Sequence, residues 1–163
     1  MSDHAGYPDD KIRRILRQVR TIAMVGASDN WNRPSYFAMK YLQQKGYRVI
    51  PVNPKVALNG GEILGEKVYA DLRDVPDAID MVDCFRAGPS IPPIAEAAAE
   101  IGAKVLWMQL GIRNDAAAAT AEAAGLEVIM DRCPKIEYGR LSGEIGWMGV
   151  NSRVISSRRQ RRI

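Results

Sequence analysis

Three cations stand in short polar segments, each placed where an apolar run ends. Arg33 lies in GASDNWNRPS (26–35), Lys55 in Asn53-Pro54-Lys55, and Arg86 in Phe85-Arg86-Ala87-Gly88-Pro89. A fourth segment, 109–113, follows another apolar run and carries Gln109 and Gly111. Cations at such positions suit a polyanionic ligand, and the first segment has further features that fit a phosphate. Gly26 permits a sharp turn, and Ala27 and Ser28 are small enough for a ligand to approach the main chain. The segment also leads into an expected helix, whose free N–H groups and positive dipole end favour an anion. Arg33 adds planar donors, Pro34 fits the first helical position, and Ser35 has a hydroxyl to offer.

The same residues also suit a tight turn with no ligand. The G-x-G-x-x-G fingerprint fails here, because Ser28 and Trp31 stand where it needs glycine. The second segment discriminates better. A fold that binds NAD places an acid at the end of its second strand to hold the ribose hydroxyls, and here the residues are Asn53-Pro54-Lys55. A lysine there suits a phosphorylated ribose, as in NADP and coenzyme A, though isolated surface lysines are common. Phe85 and Arg86 side by side could flank an adenine by stacking and cation–π contact; a Phe at a strand end is as often packed in the core. Gln109 is a polar residue in an apolar run, and a buried amide needs a hydrogen-bond partner. Trp107 reads as packing, with one N–H to satisfy.

Other chemistries lack their residues. The only histidine, His4, falls in a terminus expected to be mobile, which argues against a metal site and against Ser-His-Asp or Cys-His catalysis. Cys84 and Cys133 show no C-x-x-C spacing, which points to a reducing, cytoplasmic setting rather than a disulfide framework. Cys84 reads as a small core residue. Cys133 precedes Pro134, the expected start of the last helix; a cysteine there can be reactive, but free cysteines are mostly buried and inert. Tyr41 and Lys45 are four residues apart in an expected helix and read as a solvent-facing pair rather than a catalytic one.

The elements that position these segments follow from hydrophobic periodicity. The 163 residues are 47% hydrophobic and 26% charged, the size and balance of one globular domain. The apolar runs at 21–27 and 103–110 are far too short to span a bilayer, and the polar start MSDHAGYPDDK has no signal-peptide core. Ile12, Ile15, Leu16 and Val19 give a helical stripe over 9–19, with Pro8 before it and Asp9 or Asp10 as the cap. Strands are expected at 21–26, 47–52, 81–85, 104–110 and 126–130, with a short further strand at 67–70. Helices are expected at about 35–45, 91–101 and 115–124. Residues 53–65 read as a loop and 71–78 as a turn or short helix. The alanines at 95 and 97–99 allow close helix-to-sheet packing. This alternation predicts a single-domain α/β fold, a doubly wound, three-layered, Rossmann-like parallel sheet covered on both faces. Its ligand edge is the carboxyl end of the strands, where the four polar segments converge.

Several runs together resemble the small stand-alone CoA-binding-domain proteins, which are related to the nucleotide-binding domain of the succinyl-CoA synthetase α-subunit. They are VGAS (25–28), RPS (33–35), GYRVIPVNPK (46–55), EILGEKVY (62–69), VDCFR (82–86), GAKVLWMQLGI (102–112) and DRCPKIE (131–137). The resemblance covers about residues 10–142 and implies strand order 3-2-1-4-5, with coenzyme A lying across the four segments. It implies the pyrophosphate near Gly26, Ala27, Ser28 and Arg33, and the phosphorylated ribose near Asn53, Pro54 and Lys55. Adenine or pantetheine would lie beside Phe85, Arg86, Gln109 and Gly111.

The expected function is therefore a non-catalytic module that holds coenzyme A or an acyl-CoA as sensor, carrier or partner subunit. It has no metal and no membrane contact, and no particular protein partner can be read. An NADP-dependent reductase is the alternative, although no Tyr-x-x-x-Lys pair or catalytic histidine supports it. The domain is expected over 1–142, its first helix starting at about residue 9, followed by an extension at 143–163. Five arginines crowd the last eleven residues, and removing them from 23 basic groups leaves 18 against 19 acidic, so the net +4 belongs to the tail. Such a tail could touch nucleic acid, but it lacks the aromatics of single-strand binders and reads as a solubilising end.

Overall fold

The computed structural model describes residues 3–143. Helix α1 (Asp9–Gln18) buries Ile12, Ile15 and Leu16, the expected stripe. Its N-cap is Pro8, and no side chain caps it; Asp9 and Asp10 lie inside the first turn, where they meet the dipole rather than an open N–H. Strand β1 (Thr21–Val25), helix α2 (Pro34–Gln44) and strand β2 (Arg48–Val52) follow, with Pro34 at the first position of α2 as expected.

The next stretch departs from expectation. Residues 53–65 are not all loop. Asn53 caps a one-turn helix, α3 (Pro54–Leu58), by accepting from the amides of Lys55 and Val56. Strands β3 (Glu62–Ile63) and β4 (Glu66–Lys67) then form a hairpin around Leu64 and Gly65, both at positive φ, as a two-residue turn of this hand requires. The strand expected at 67–70 shrinks to one parallel bridge between Val52 and Tyr69. Its ladder contains Asn53 N–H to Tyr69 O and Tyr69 N–H to Pro51 O. The next rung would need an N–H from residue 51, and proline has none.

Regular alternation then resumes. A 3-10 turn at Leu72–Asp74 leads to β5 (Met81–Cys84), α4 (Ile91–Glu100), β6 (Val105–Met108), α5 (Asp115–Ala123), β7 (Glu127–Ile129) and α6 (Pro134–Ser142). The sheet is parallel with order β2-β1-β5-β6-β7. With the Tyr69 bridge outside β2, this is the order 3-2-1-4-5 that the resemblance implies, extended by β7 as a sixth strand at the far edge. One face packs Val82, Cys84, Leu106 and Met108 against α4 and α5, where Ala95, Ala97 and Ala98 are buried. The other packs Met24, Met81 and Trp107 with residues of α1, α2 and α6. Trp107 satisfies its Nε1–H on the carbonyl of Arg132 at 2.8 Å.

The amino terminus is docked rather than mobile. The His4 ring contacts the Tyr7 hydroxyl at 2.9 Å and Glu122 at 3.1 Å, and Tyr7 in turn accepts from the amide of Met130. No helix among the described residues is long and apolar enough to cross a membrane. The arginine-rich tail and the proposed extension lie outside the described residues.

Candidate ligand-binding edge

The chain turns one way from β1 through α2 to β2, and the other way from β5 to β6. Strand order therefore reverses between β1 and β5, and their carboxyl ends face a crevice there. The four polar segments converge on this edge, and each is held in place by identifiable contacts.

Gly26 has φ +88, and its N–H donates to Val52 O at 2.9 Å. A Cβ at this position would lie 2.5 Å from the Phe85 carbonyl oxygen and 2.9 Å from Arg86 Cδ. The glycine thus lets the β5 exit pass directly against the β1 exit. The expected cradle of amides after it is partly closed by the segment's own side chains. The Ser28 N–H donates to Ser35 Oγ at 3.0 Å, Asn30 N–H to Ser28 Oγ at 3.0 Å, and Asn32 N–H to Asn30 Oδ1 at 3.2 Å. Ser35 is buried and braces the turn, a different job from the ligand contact expected of it. Ala27 is fully buried among the residues under α2. Among the described residues, the amides of Ala27, Asp29, Trp31 and Ser35 keep no partner.

Asn53 is a strut between segments. Its Oδ1 caps α3, and its Nδ2 donates to Ala27 O at 2.8 Å. Pro54 borders the crevice, and Lys55 is exposed at a shallow hollow that Asp29 also lines. Gly111 has φ +79, and its N–H donates to Asp131 Oδ1 at 2.7 Å, which pins the loop after β6.

Two cavities open on this edge, one over each face of the sheet. The first, about 230 Å³, lies over the α4 side between Gly26, Pro54, Leu72, Ser90 and Ile94. The second, about 630 Å³, lies over the α2 and α6 side between Phe37, Phe85, Gln109, Leu110, Cys133 and Ile136. Arg86 lines both. Phe85 and Arg86 thus both line the second cavity, and the arginine also reaches the first.

The polar groups here are short of partners. Arg33, Lys55 and Arg86 have no carboxylate within ion-pair distance among the described residues, whereas Arg14, Arg48, Arg73 and Arg140 each have one. Gln109 is 8% exposed, and its buried Oε1 has no hydrogen-bond donor. An acceptor left dry costs about 1–3 kcal/mol, so an N–H donor entering the second cavity would be stabilised there. The sequence already marked Gln109 as a buried amide in need of a partner.

Other residues at this edge were not picked out from sequence. Leu72 and Ser90 arrive from short 3-10 turns and Ile94 from the first turn of α4, positions that no motif marks. Asp83, within the apolar run of β5, is fully buried between Met24 and Trp107 in register, and neither carboxylate oxygen has a partner. Burial pushes its carboxyl well above the ordinary range, which favours the protonated form, and burial does the same to the Cys84 thiol. A lone acid amid MVDCF was the available signal. Among the described residues no group of three His, Cys, Asp or Glu side chains is placed to hold a metal ion.

Known proteins resemble this chain in sequence and fold. The family described as the CoA binding domain matches residues 20–139. An uncharacterized protein, YneT, of Bacillus subtilis (strain 168) is 38% identical over 128 residues, which span 78% of this chain and 92% of YneT. The ADP-forming acetate–CoA ligase II of Archaeoglobus fulgidus is 30% identical over 93 residues, 56% of this chain but 13% of that protein. A solved structure of a hypothetical protein from Pyrococcus horikoshii OT3 superposes with TM-score 0.80 at 40% identity, covering 88% of this chain and all of that one.

Proposed function

The chain belongs to the CoA-binding-domain family, and from that premise we propose that it holds coenzyme A or an acyl-CoA along this edge as a sensor, carrier or partner subunit. The observation that carries the reading is Arg86, which borders both cavities and has no carboxylate partner among the described residues. Coenzyme A has a phosphorylated nucleotide at one end and an amide-bearing, thiol-ended arm at the other, so it needs two unlike compartments with a cation between them. In this reading the adenine enters the smaller cavity, and its phosphates meet Arg33, Lys55 and Arg86. The arm passes Arg86 into the larger cavity, where one of its amide N–H groups supplies the donor that Gln109 Oε1 lacks.

The closing of the first turn by Ser28 and Ser35 redistributes the phosphate contacts. Fewer main-chain amides are open than the sequence suggests, so the three side-chain cations carry more of the anion's charge. The chain is proposed to turn nothing over, in keeping with a histidine whose two ring nitrogens are engaged by Tyr7 and Glu122. A cytoplasmic setting fits two free, buried thiols.

Calorimetry of the purified protein against CoA, NADP and NAD tests the reading, with mass spectrometry of any ligand released on denaturation. CoA is expected to bind tightest. Tighter binding of NADP would overturn the proposal in favour of a reductase.

A further inference from the structure

The larger cavity contains a nucleophile that binding alone does not use. Cys133 lines it together with Gln109, and its sulfur makes no capping hydrogen bond at the start of α6. The segment before it is fixed to the sheet, since Arg132 N–H donates to Met108 O at 3.3 Å and Arg132 O accepts from Trp107. Pro134 brings no N–H to the first turn of α6. The amides of Lys135 and Ile136, two residues that also line the cavity, keep no partner among the described residues. The rim is apolar, with Phe37, Leu110 and Ile136 exposed at 49%, 55% and 44% although each is a large hydrophobic side chain.

We infer that Cys133 accepts the acyl group of a bound acyl-CoA by thioester exchange. The inference rests on the coenzyme A reading, which brings the thioester end of the ligand into this cavity. The Cys133 sulfur adds to the thioester carbonyl carbon, and a new carbon–sulfur bond forms. The bond from that carbon to the coenzyme sulfur breaks, and the thiol proton ends on the departing coenzyme thiol. One thioester replaces another, so no oxidant, reductant or nucleotide is consumed. The unpaired amides of the α6 first turn are available to the carbonyl oxygen as it gains charge, and the apolar rim receives the acyl chain. A single loading of this kind makes the protein a covalent acyl carrier without turnover. Cys84 cannot substitute, because it is fully buried on the opposite face among residues packed by α4 and α5.

The test uses the full chain and octanoyl-CoA, with acid quench, intact-mass spectrometry and peptide mapping. The expected product carries one octanoyl group on Cys133, released by neutral hydroxylamine. It is absent from Cys133→Ser and forms at least tenfold faster than with the octanoyl thioester of a small thiol. An unmodified protein, modification on Cys84, or equal rates with the two thioesters would each overturn the inference. Calorimetry with CoA on the same samples separates the two claims. Binding without acylation removes only the carrier, whereas failure to bind removes the coenzyme A reading and the carrier with it.

Discussion

At the edge where the parallel strands begin, Asp80 accepts from the amides of Arg20 and Thr21 at 2.9 and 3.0 Å, and Lys104 stands 3.8 Å from the same carboxylate. Arg14 meets Glu127 there through two hydrogen bonds, and Arg48 meets Asp77 at 2.6 Å. That edge also has a hollow of about 470 Å³, twice the volume of the smaller cavity at the opposite edge. Its charged lining groups Asp80, Lys104 and Glu127 are all paired. At the edge where the strands end, and among the described residues, Arg33, Lys55 and Arg86 have no carboxylate within ion-pair distance and Gln109 Oε1 has no donor. Volume alone does not tell these two places apart. A dry acceptor beside an open cavity does, because a buried polar group without a partner calls for an explanation and an entering ligand is one.

The comparison breaks most severely at Gly26. Gly26→Ala puts a methyl 2.5 Å from the Phe85 carbonyl at a φ that disfavours any side chain. The expected cost is at least about 2 kcal/mol in chemical denaturation. CoA binding should fail along with it, since the exits of β1 and β5 must separate. An equally stable variant would mean that the two exits are not held together as described.

Asp83 tests whether every orphan marks a ligand. It is unpartnered like Gln109 but sealed inside the sheet, so it should shape stability and not binding. Its folded-state pKa is raised by burial, so the folded chain binds the proton more tightly than the unfolded one. The stabilisation this gives is complete below the unfolded value, about 3.9, and is lost as pH rises towards the folded value. Asp83→Asn should remove that slope and leave the variant as stable as the parent, or more so by about 1–3 kcal/mol, at neutral pH. A parallel loss of CoA affinity would place Asp83 in the site.

The cations sharpen the contrast. Arg86→Ala should weaken CoA binding roughly tenfold, about 1.4 kcal/mol, with no change in Tm. Arg33→Ala and Lys55→Ala should each have a smaller effect. Lys104→Ala at the other edge should leave affinity as it was. Undiminished binding in a folded Arg86→Ala protein would count against the arrangement of the two cavities.

Much of this edge was legible before any coordinates. Apolar runs of four to six residues alternating with helical stripes fix a parallel sheet, and a parallel sheet puts every strand's carboxyl end on one side. Arg33, Lys55, Arg86 and Gln109 could be brought together on that ground alone. The third strand misled because its failure depends on a partner: nothing within 67–70 reveals that Pro51 lacks the next donor. Helix α3 was missed although Asn53-Pro54 is a cap followed by a favoured first residue, a signal that length preferences obscured. The closing of the turn by Ser28 and Ser35 and the pinning of Gly111 by Asp131 are contacts across 7 and 20 residues. Composition offers no trace of such distances. Which cavity each strand-end residue borders also had to be seen, and it gives Arg86 two where Phe85 has one.

The smallest effect is expected where charge is already paired. Arg14 holds the Glu127 carboxyl below its usual range, chiefly through their hydrogen bonds. The stability this gives is present above the unfolded carboxyl value, about 4.3, and is lost as pH falls through the lower folded value. Both side chains are more than a third exposed, so solvent screens much of the attraction. Arg14→Ala should cost well under 1 kcal/mol in low salt. The difference from the parent should shrink as salt is added, and CoA affinity should hold. If this variant instead weakened CoA binding as much as Arg86→Ala, charge at the two edges would be coupled through the sheet, and partner counting would no longer separate a binding edge from a structural one.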